Sequence, residues 1–140
     1  MKKIVSAAAI LAVLGVATLV INPLSAQGDK VPTPKEIMGK LNKGPNALHA
    51  MLGKALKSDE PAWDDIQKET KEYSELAAGL GKNDPPKGDK DSWAKLTKTY
   101  AENAKALADG AEKKDKAAMT TAHGKIGKSC KSCHDAHRGK

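Results

Sequence analysis

Large aromatic side chains are scarce in this sequence of 140 residues, which has two Trp, two Tyr and no Phe. A core built from Ala, Leu, Met and Ile buries little apolar surface per residue, so the chain alone would be only marginally stable. The scarcity also excludes the aromatic platforms on which nucleic-acid-binding proteins stack bases. We therefore expect no nucleic-acid binding and a bound group that adds bulk to the core.

Residues 1–26 have the pattern of an export signal. Two lysines precede an apolar run over residues 4–21, and the segment ends in the small residue Ala26, which suits signal peptidase. We expect cleavage before Gln27 and a periplasmic address. The alternative is an uncleaved anchor, because about 20 apolar residues can span a bilayer, and only then would the protein be attached to a membrane.

Cleavage leaves residues 27–140, which we expect to form a flexible lead-in over 27–33 and one domain over 34–140. Of the 24 basic side chains, Lys2 and Lys3 belong to the leader, so 22 remain against 17 acidic ones. This moderate positive excess is spread along the chain and is typical of a solvated surface. It lacks the concentrated basic stripe of a nucleic-acid-binding protein.

Apolar residues recur every three or four positions, and strand-like alternation is absent. Thr33 and Glu36 form a capping-box pattern that predicts the start of a first helix, which continues to about residue 57. Gly44-Pro45 interrupts this helix with a kink or a short break, because proline removes a helical hydrogen bond.

A second helix is predicted to begin at the acidic turn of residues 58–61 and to end at a pair of glycines, before a proline-rich loop over residues 83–89. Asp91 or Ser92 is the expected cap of a third helix, and Asp115 that of a fourth. Four helices of about 20 residues with short connections predict an all-α fold, an antiparallel four-helix bundle with up-down-up-down topology.

The inward face of the fourth helix ends in Cys130-Lys-Ser-Cys133-His134, which has the C-x-x-C-H spacing of c-type haem attachment. Residues three apart share one side of a helix, about 5 to 6 Å apart at Cβ, so both thiols can bond to vinyl groups of one porphyrin. His134 lies one turn after Cys130, where its imidazole can reach the iron. The motif predicts one covalently bound haem c.

Three other interpretations of Cys130 and Cys133 compete with haem. A disulfide between them would close too small a loop to constrain the unfolded chain, and a thioredoxin-like redox pair is expected beside a βαβ pattern. A zinc site with His134 and His137 is the closest rival, because the four residues share one helical face. Ligands from two turns of one helix nevertheless surround a tetrahedral ion poorly.

The four-helix layout, with this motif at its C-terminus, resembles the class II c-type cytochromes: the cytochrome c-prime family, and within it the low-spin, methionine-ligated branch. That family commonly has C-x-x-C-H-x-x-aromatic-Arg, often followed by Lys. Arg138 and Lys140 match this pattern, and His137 replaces the usual Phe or Tyr. The likeness extends over the mature chain in helix layout, and its specific part is the C-terminal motif.

The resemblance implies that Cys130 and Cys133 form the thioether bonds and that His134 is the fifth iron ligand. In the low-spin branch a methionine early in the first helix is the sixth ligand, and Met38 occupies that place. Arg138 is a candidate partner for a haem propionate.

The alternatives to Met38 at the sixth position are Met51, His49 or no ligand at all. Met119 is expected in the core, and His123 at a propionate or on the surface. With Met38 bound, we expect an electron-transfer protein without catalytic residues, which docks on the acidic face of a redox partner. An open sixth position would instead suit a high-spin binder of nitric oxide or another diatomic gas. Some class II relatives dimerise through the first two helices, so a homodimer is an open alternative.

Overall fold

The structure, a computed structural model, describes residues 30–138. The predicted export signal and residues 27–29 of the lead-in lie outside the described residues. Within them the regular secondary structure is entirely helical, and none of the helices is long and apolar enough to cross a membrane. The five helices are α1 (Pro34–Asn42), α2 (Leu48–Ala55), α3 (Trp63–Leu80), α4 (Lys90–Glu112) and α5 (Lys116–His137).

The predicted first helix is divided into α1 and α2, as the Gly44-Pro45 sequence indicated. Gly44 has a φ of 89°, a conformation that favours glycine, and the helix resumes only at Leu48. The start of α1 is also confirmed: the Thr33 hydroxyl accepts from the Glu36 N–H at 3.3 Å, and the Glu36 carboxylate accepts from the Thr33 N–H at 2.8 Å. The five helices therefore correspond to the four predicted ones, and the first of these is divided into two.

The predicted start of the second helix was wrong by several residues. Ser58 donates its hydroxyl hydrogen to the Glu60 carbonyl at 3.1 Å and so closes a turn. The helix α3 begins at Trp63, and its first turn carries the acidic pair Asp64 and Asp65, where the helix dipole favours negative charge. The helix does begin with acidic residues, as predicted, but these are Asp64 and Asp65 and not Asp59 and Glu60.

The predicted cap of the third helix was also wrong. Asp89, and not Asp91 or Ser92, is the N-cap of α4, and its carboxylate accepts from the Ser92 N–H at 2.7 Å. The predicted cap of the last helix is confirmed, because the Asp115 carboxylate accepts from the Ala118 N–H at 2.9 Å. Both caps follow the usual three-residue spacing of a side-chain cap.

Packing is closest between neighbouring long helices: α5 lies along α4, and α4 lies along α3. The short helices α1 and α2 pack on α3, and neither packs along α5 for more than a few residues. The predicted apolar seams are largely buried, and the core consists mostly of Ala, Leu and Ile with Met119, Tyr73, Tyr100 and Trp93. The side of α5 that faces α1 and α2 is thus less closely covered than the side that faces α4.

His137 joins the end of α5 to the loop that precedes α4. Its Nδ1–H donates to the Lys87 carbonyl at 2.9 Å, which leaves Nε2 to accept from the Ser92 hydroxyl at 3.1 Å. The ring is buried, with 2% exposure, and meets Trp93 edge to face at 5.3 Å. His137, which stands where the family pattern has Phe or Tyr, is therefore a buried ring with two hydrogen bonds.

We expect His137→Ala to lower the free energy of unfolding by about 2 to 4 kcal/mol, because it leaves a cavity and two unpaired polar groups. His137→Phe retains the packing and should cost less, about 1 to 2 kcal/mol. Urea unfolding of the haem-loaded protein measures both values. Equal stability of His137→Ala and the unaltered protein would contradict the anchoring role.

Candidate haem-attachment site

Cys130 and Cys133 lie on one side of α5 at the boundary between core and solvent. Both are free thiols of intermediate burial, and Cys133 packs against the hydrophobic core. The Cys130 thiol points toward the Ile126 carbonyl, with a sulfur–oxygen distance of 3.6 Å. Burial raises the pKa of the Cys133 thiol, helped by the neighbouring Cys130, which is the opposite of a reactive redox cysteine.

The two histidines of the motif region have different surroundings. His134 is exposed on α5, whereas His137 is buried and uses both ring nitrogens in the hydrogen bonds to Ser92 and Lys87. Among residues 30–138 no three His, Cys, Asp or Glu side chains are gathered as a metal site. The arrangement leaves the His134 imidazole available to an iron and speaks against a zinc site that includes His137.

A pair of buried tyrosines belongs to the hydrophobic core against which Cys133 packs. The hydroxyls of Tyr73 on α3 and Tyr100 on α4 are 2.6 Å apart and form a hydrogen bond. Burial raises the pKa of Tyr100, hydrogen bonds from Asn42 and Tyr73 oppose the rise, and the nearby Cys130 sulfur adds to it. Burial likewise raises the pKa of Tyr73. Both phenols therefore stay neutral at physiological pH.

Met38 is connected to this tyrosine pair through Asn42, one turn later on α1. The Asn42 amide nitrogen lies 3.3 Å from the Met38 sulfur and 3.5 Å from the Tyr100 hydroxyl oxygen. Met38 itself is partly buried and packs against the hydrophobic core. The thioether, the amide and the two phenols thus form one polar chain that runs from α1 into the core.

The direction of α2 relative to α5 shows that Met38 and Met51 lie at different levels along α5. A Cβ at Gly53 would lie 3.2 Å from the His123 ring, and a Cβ at Gly127 would lie 3.9 Å from the His49 ring. Residue numbers on α2 therefore fall as those on α5 rise, so the two helices are antiparallel. The segment that precedes α2, with Met38, comes toward the C-terminal end of α5, whereas Met51 lies between the levels of His123 and Gly127.

His49 and His123 stack on each other and connect α2 with α5. Their ring centroids are 3.9 Å apart at an interplanar angle of 6°, and His123 Nε2–H donates to the His49 carbonyl at 2.9 Å. His49 Nδ1 is the one buried side-chain nitrogen or oxygen of residues 30–138 that has no hydrogen-bond partner. Neither the stacking nor the backbone hydrogen bond of His123 was expected from the sequence, which suggested a propionate or surface role.

These residues fit a covalently attached haem. Two free thiols three residues apart are half-buried at an apolar boundary, and the next residue is an exposed imidazole. The helices α1 and α2 pack more closely on α3 than on α5. A flat ring needs such a position, with apolar surface on its faces and solvent at its polar edge. Cys130 and Cys133 would hold the ring, and His134 would offer a nitrogen to its iron.

The remaining predicted residues are spread around the site. Met119 is fully buried in the core, as expected. Arg138 follows the last residue of α5 with an exposed side chain, and its backbone N–H donates to the His134 carbonyl at 3.1 Å. Asn42 and the tyrosine pair were missed as members of the site. A polar residue four positions after Met38 is the sequence signal that could have indicated Asn42.

An all-α bundle with a C-x-x-C-H motif at the core boundary of its last helix has the arrangement of a c-type cytochrome of the helical-bundle class. The model of the family described as Cytochrome C' matches residues 88–138, which include α4, α5 and the whole motif. This part of the chain is thus similar to the class II c-type cytochromes of the cytochrome c-prime family, whose cofactor is covalently attached haem c. Searches of curated proteins and of solved structures gave no match.

The stability of the bundle should depend on pH through His49. Burial, together with a smaller effect of the neighbouring His123, lowers the pKa of His49 to about 4. Between pH 6.5 and about 4 the unfolded chain binds a proton at His49 that the folded protein does not, so stability falls as the pH falls. The ring is partly exposed, which limits the loss to about 1 to 2 kcal/mol.

Urea unfolding of the haem-loaded protein at pH 7 and at pH 4.5 measures this loss, and His49→Gln is the matched variant. We expect the variant to lose less stability than the unaltered protein over the same interval. An equal loss in both proteins would assign the pH dependence to other groups.

Proposed function

We propose that the protein is a periplasmic electron carrier whose haem iron is held by His134 on one side and Met38 on the other. Haem c supplies an iron that accepts and releases one electron. A six-coordinate iron offers no open position to a substrate, so this function needs no catalytic residue. The residues of the chain then serve to hold the ring, to supply both axial ligands and to set the polarity around them.

One observation carries the assignment of Met38. Its sulfur is joined through Asn42 to Tyr100, and Tyr100 belongs to the hydrophobic core against which both Met38 and Cys133 pack. The antiparallel direction of α2 and α5 supports the same choice, because it brings α1 toward the end of α5 that carries His134. Met51 lies more than one turn of helix away from Cys130 by the same comparison.

The surroundings of the site suit electron transfer to another protein. Cys130 and Cys133 are half-buried and His134 is exposed, so one edge of a ring held by them would lie near solvent. The basic residues Lys128, Lys131 and Arg138 are exposed around the motif, and Lys131 is paired with Asp135 at 2.6 Å. We infer a redox partner with an acidic docking face, because opposite charges speed the association of transient partners. Export of the protein by the segment over residues 1–26 belongs to the same proposal.

A second function is favoured by the hydrogen bond that the Met38 sulfur makes. It already accepts a hydrogen bond from Asn42, and the fully buried Leu41 lies one turn of helix from Met38 on α1. If Met38 keeps its hydrogen bond with Asn42 and does not bind iron, Leu41 and Met38 would line an open sixth position of the iron. The protein would then bind a small diatomic gas such as nitric oxide.

Met38→Ala distinguishes the two functions. We expect the unaltered protein, expressed with its leader and loaded with haem, to have a low-spin absorption spectrum and to bind carbon monoxide weakly. The substitution removes a soft sulfur ligand, so it should convert the iron to high spin and raise the affinity for carbon monoxide by about tenfold or more. Absorption spectra of both oxidation states, recorded with and without carbon monoxide, are the measurement.

Met51→Ala is the control, because Met51 is also a partly buried methionine but lies further from Cys130. The spectrum of this variant should equal that of the unaltered protein. A high-spin spectrum of the unaltered protein, with ready binding of carbon monoxide, would overturn ligation by Met38 and favour gas binding.

A further inference from the structure

We propose that Asn42 is a positioning residue for the sixth iron ligand: its side-chain amide fixes the orientation of the Met38 thioether, and the hydroxyl pair of Tyr73 and Tyr100 holds that amide in place. The inference rests on the proposed function, because it assigns a role to Asn42 only if Met38 binds the iron. It adds a group that does not touch the iron but controls a residue that does.

The geometry provides two hydrogens for two acceptors. The Asn42 amide nitrogen carries two hydrogens, and it lies 3.3 Å from the Met38 sulfur and 3.5 Å from the Tyr100 oxygen. Sulfur is a larger atom than oxygen, so 3.3 Å is a close hydrogen-bond distance to sulfur, whereas 3.5 Å is a long one to the Tyr100 oxygen. Asn42 therefore bridges α1 and α4, with its firmer hydrogen bond on the thioether.

A thioether sulfur has two lone pairs, and only one is needed to bind a metal ion. A hydrogen bond from Asn42 to one lone pair leaves the other free and restricts the direction in which it points. This restriction matters because a methionine side chain has three rotatable bonds and otherwise adapts to many positions. Met38 and Asn42 are four residues apart in α1, so they lie on the same side of the helix and the contact needs no rearrangement of the backbone.

The tyrosine pair gives the exposed Asn42 a fixed partner. Tyr73 is fully buried and Tyr100 is 7% exposed, and their hydroxyls are 2.6 Å apart. Their rings are also stacked, with centroids 6.3 Å apart. Two phenols that are packed between α3 and α4 cannot turn freely, so the Tyr100 oxygen presents a constant acceptor to Asn42.

Two measurable consequences follow for the haem-loaded protein. A freely rotating Met38 would leave the iron more often, which would let carbon monoxide bind the reduced protein faster. A hydrogen bond on the ligand sulfur also withdraws electron density and favours the reduced iron, so its loss should lower the midpoint potential. A residue that only stabilised the fold would change neither quantity in a correctly folded protein.

The test is Asn42→Leu, which has a similar size and no donor. We expect carbon monoxide to bind the reduced protein about fivefold faster than the unaltered protein, as the loss of one hydrogen bond implies, and we expect a lower midpoint potential. Tyr100→Phe, which keeps the ring and removes only the hydroxyl, should move both quantities in the same direction by less. Asn46→Leu is the matched control, since Asn46 is exposed in the turn between α1 and α2, and it should change neither.

The outcomes separate this inference from the proposed function. If Met38→Ala abolishes a low-spin spectrum while Asn42→Leu and Tyr100→Phe leave both quantities unchanged, Met38 is the ligand and the role of Asn42 is refuted. Slower carbon monoxide binding in Asn42→Leu would also refute it, because the amide would then hold the sulfur away from the iron. A high-spin spectrum of the unaltered protein refutes the proposed function itself. Should Asn42→Leu fail to fold, Tyr100→Phe decides the question alone.

Discussion

The packing of α5 along α4 is the interaction on which the site depends, because it fixes the rotation of the helix that carries the haem motif. Met119, Ile126 and His137 are buried on α5. The close approach near the start of α5 requires Gly110, where a Cβ would lie 2.9 Å from the Met119 side chain. With these contacts made, Cys130 and Cys133 lie at the boundary between the core and solvent. The orientation of the haem motif is thus fixed by buried residues of α5 that are not part of the motif.

Scarce aromatics are used in this bundle as polar anchors as well as apolar bulk. Trp93 donates its indole N–H to the Asn83 carbonyl at 2.7 Å, which fastens the loop before α4. Tyr73 and Tyr100 join α3 to α4 through their hydroxyls and reach α1 through Asn42. These contacts help to define a core that is otherwise composed of small aliphatic side chains. They also concentrate polar groups near the sulfur atoms on which the function depends.

Local features of the fold could be predicted where a short sequence pattern has one physical meaning. The capping box at Thr33, the break at Gly44-Pro45 and the cap at Asp115 were all confirmed, since each depends on residues within one turn. Helix starts with several acidic candidates, such as the one before Trp63, were placed wrongly because neighbouring carboxylates satisfy the same pattern. The fold class and the haem motif were predicted on the same local grounds, from apolar periodicity and the spacing of Cys130 and Cys133.

Contacts between distant segments could not be predicted, because a single sequence does not state which faces meet. The stacking of His49 on His123 joins residues 74 positions apart, and the bond from Asn42 to Tyr100 joins residues 58 positions apart. His137 was seen as a departure from a family pattern, and its two hydrogen bonds became evident only with the loop beside it. The distinction between an electron carrier and a gas binder depends on contacts of this long-range kind.

Gly88 has a further consequence for how the protein is made. Its φ of 84° lets the backbone pass so close to the end of α5 that a Cβ there would lie 2.6 Å from the Ala136 carbonyl oxygen. The first and last parts of the family-matched segment, residues 88–138, therefore meet in space, and α4 and α5 form a hairpin closed at both ends. Contacts within a hairpin of adjacent helices form quickly, because little chain entropy is lost in joining them. We expect this hairpin to order first and to offer its two thiols on a formed helix while the α1 side is still open to a large flat ring.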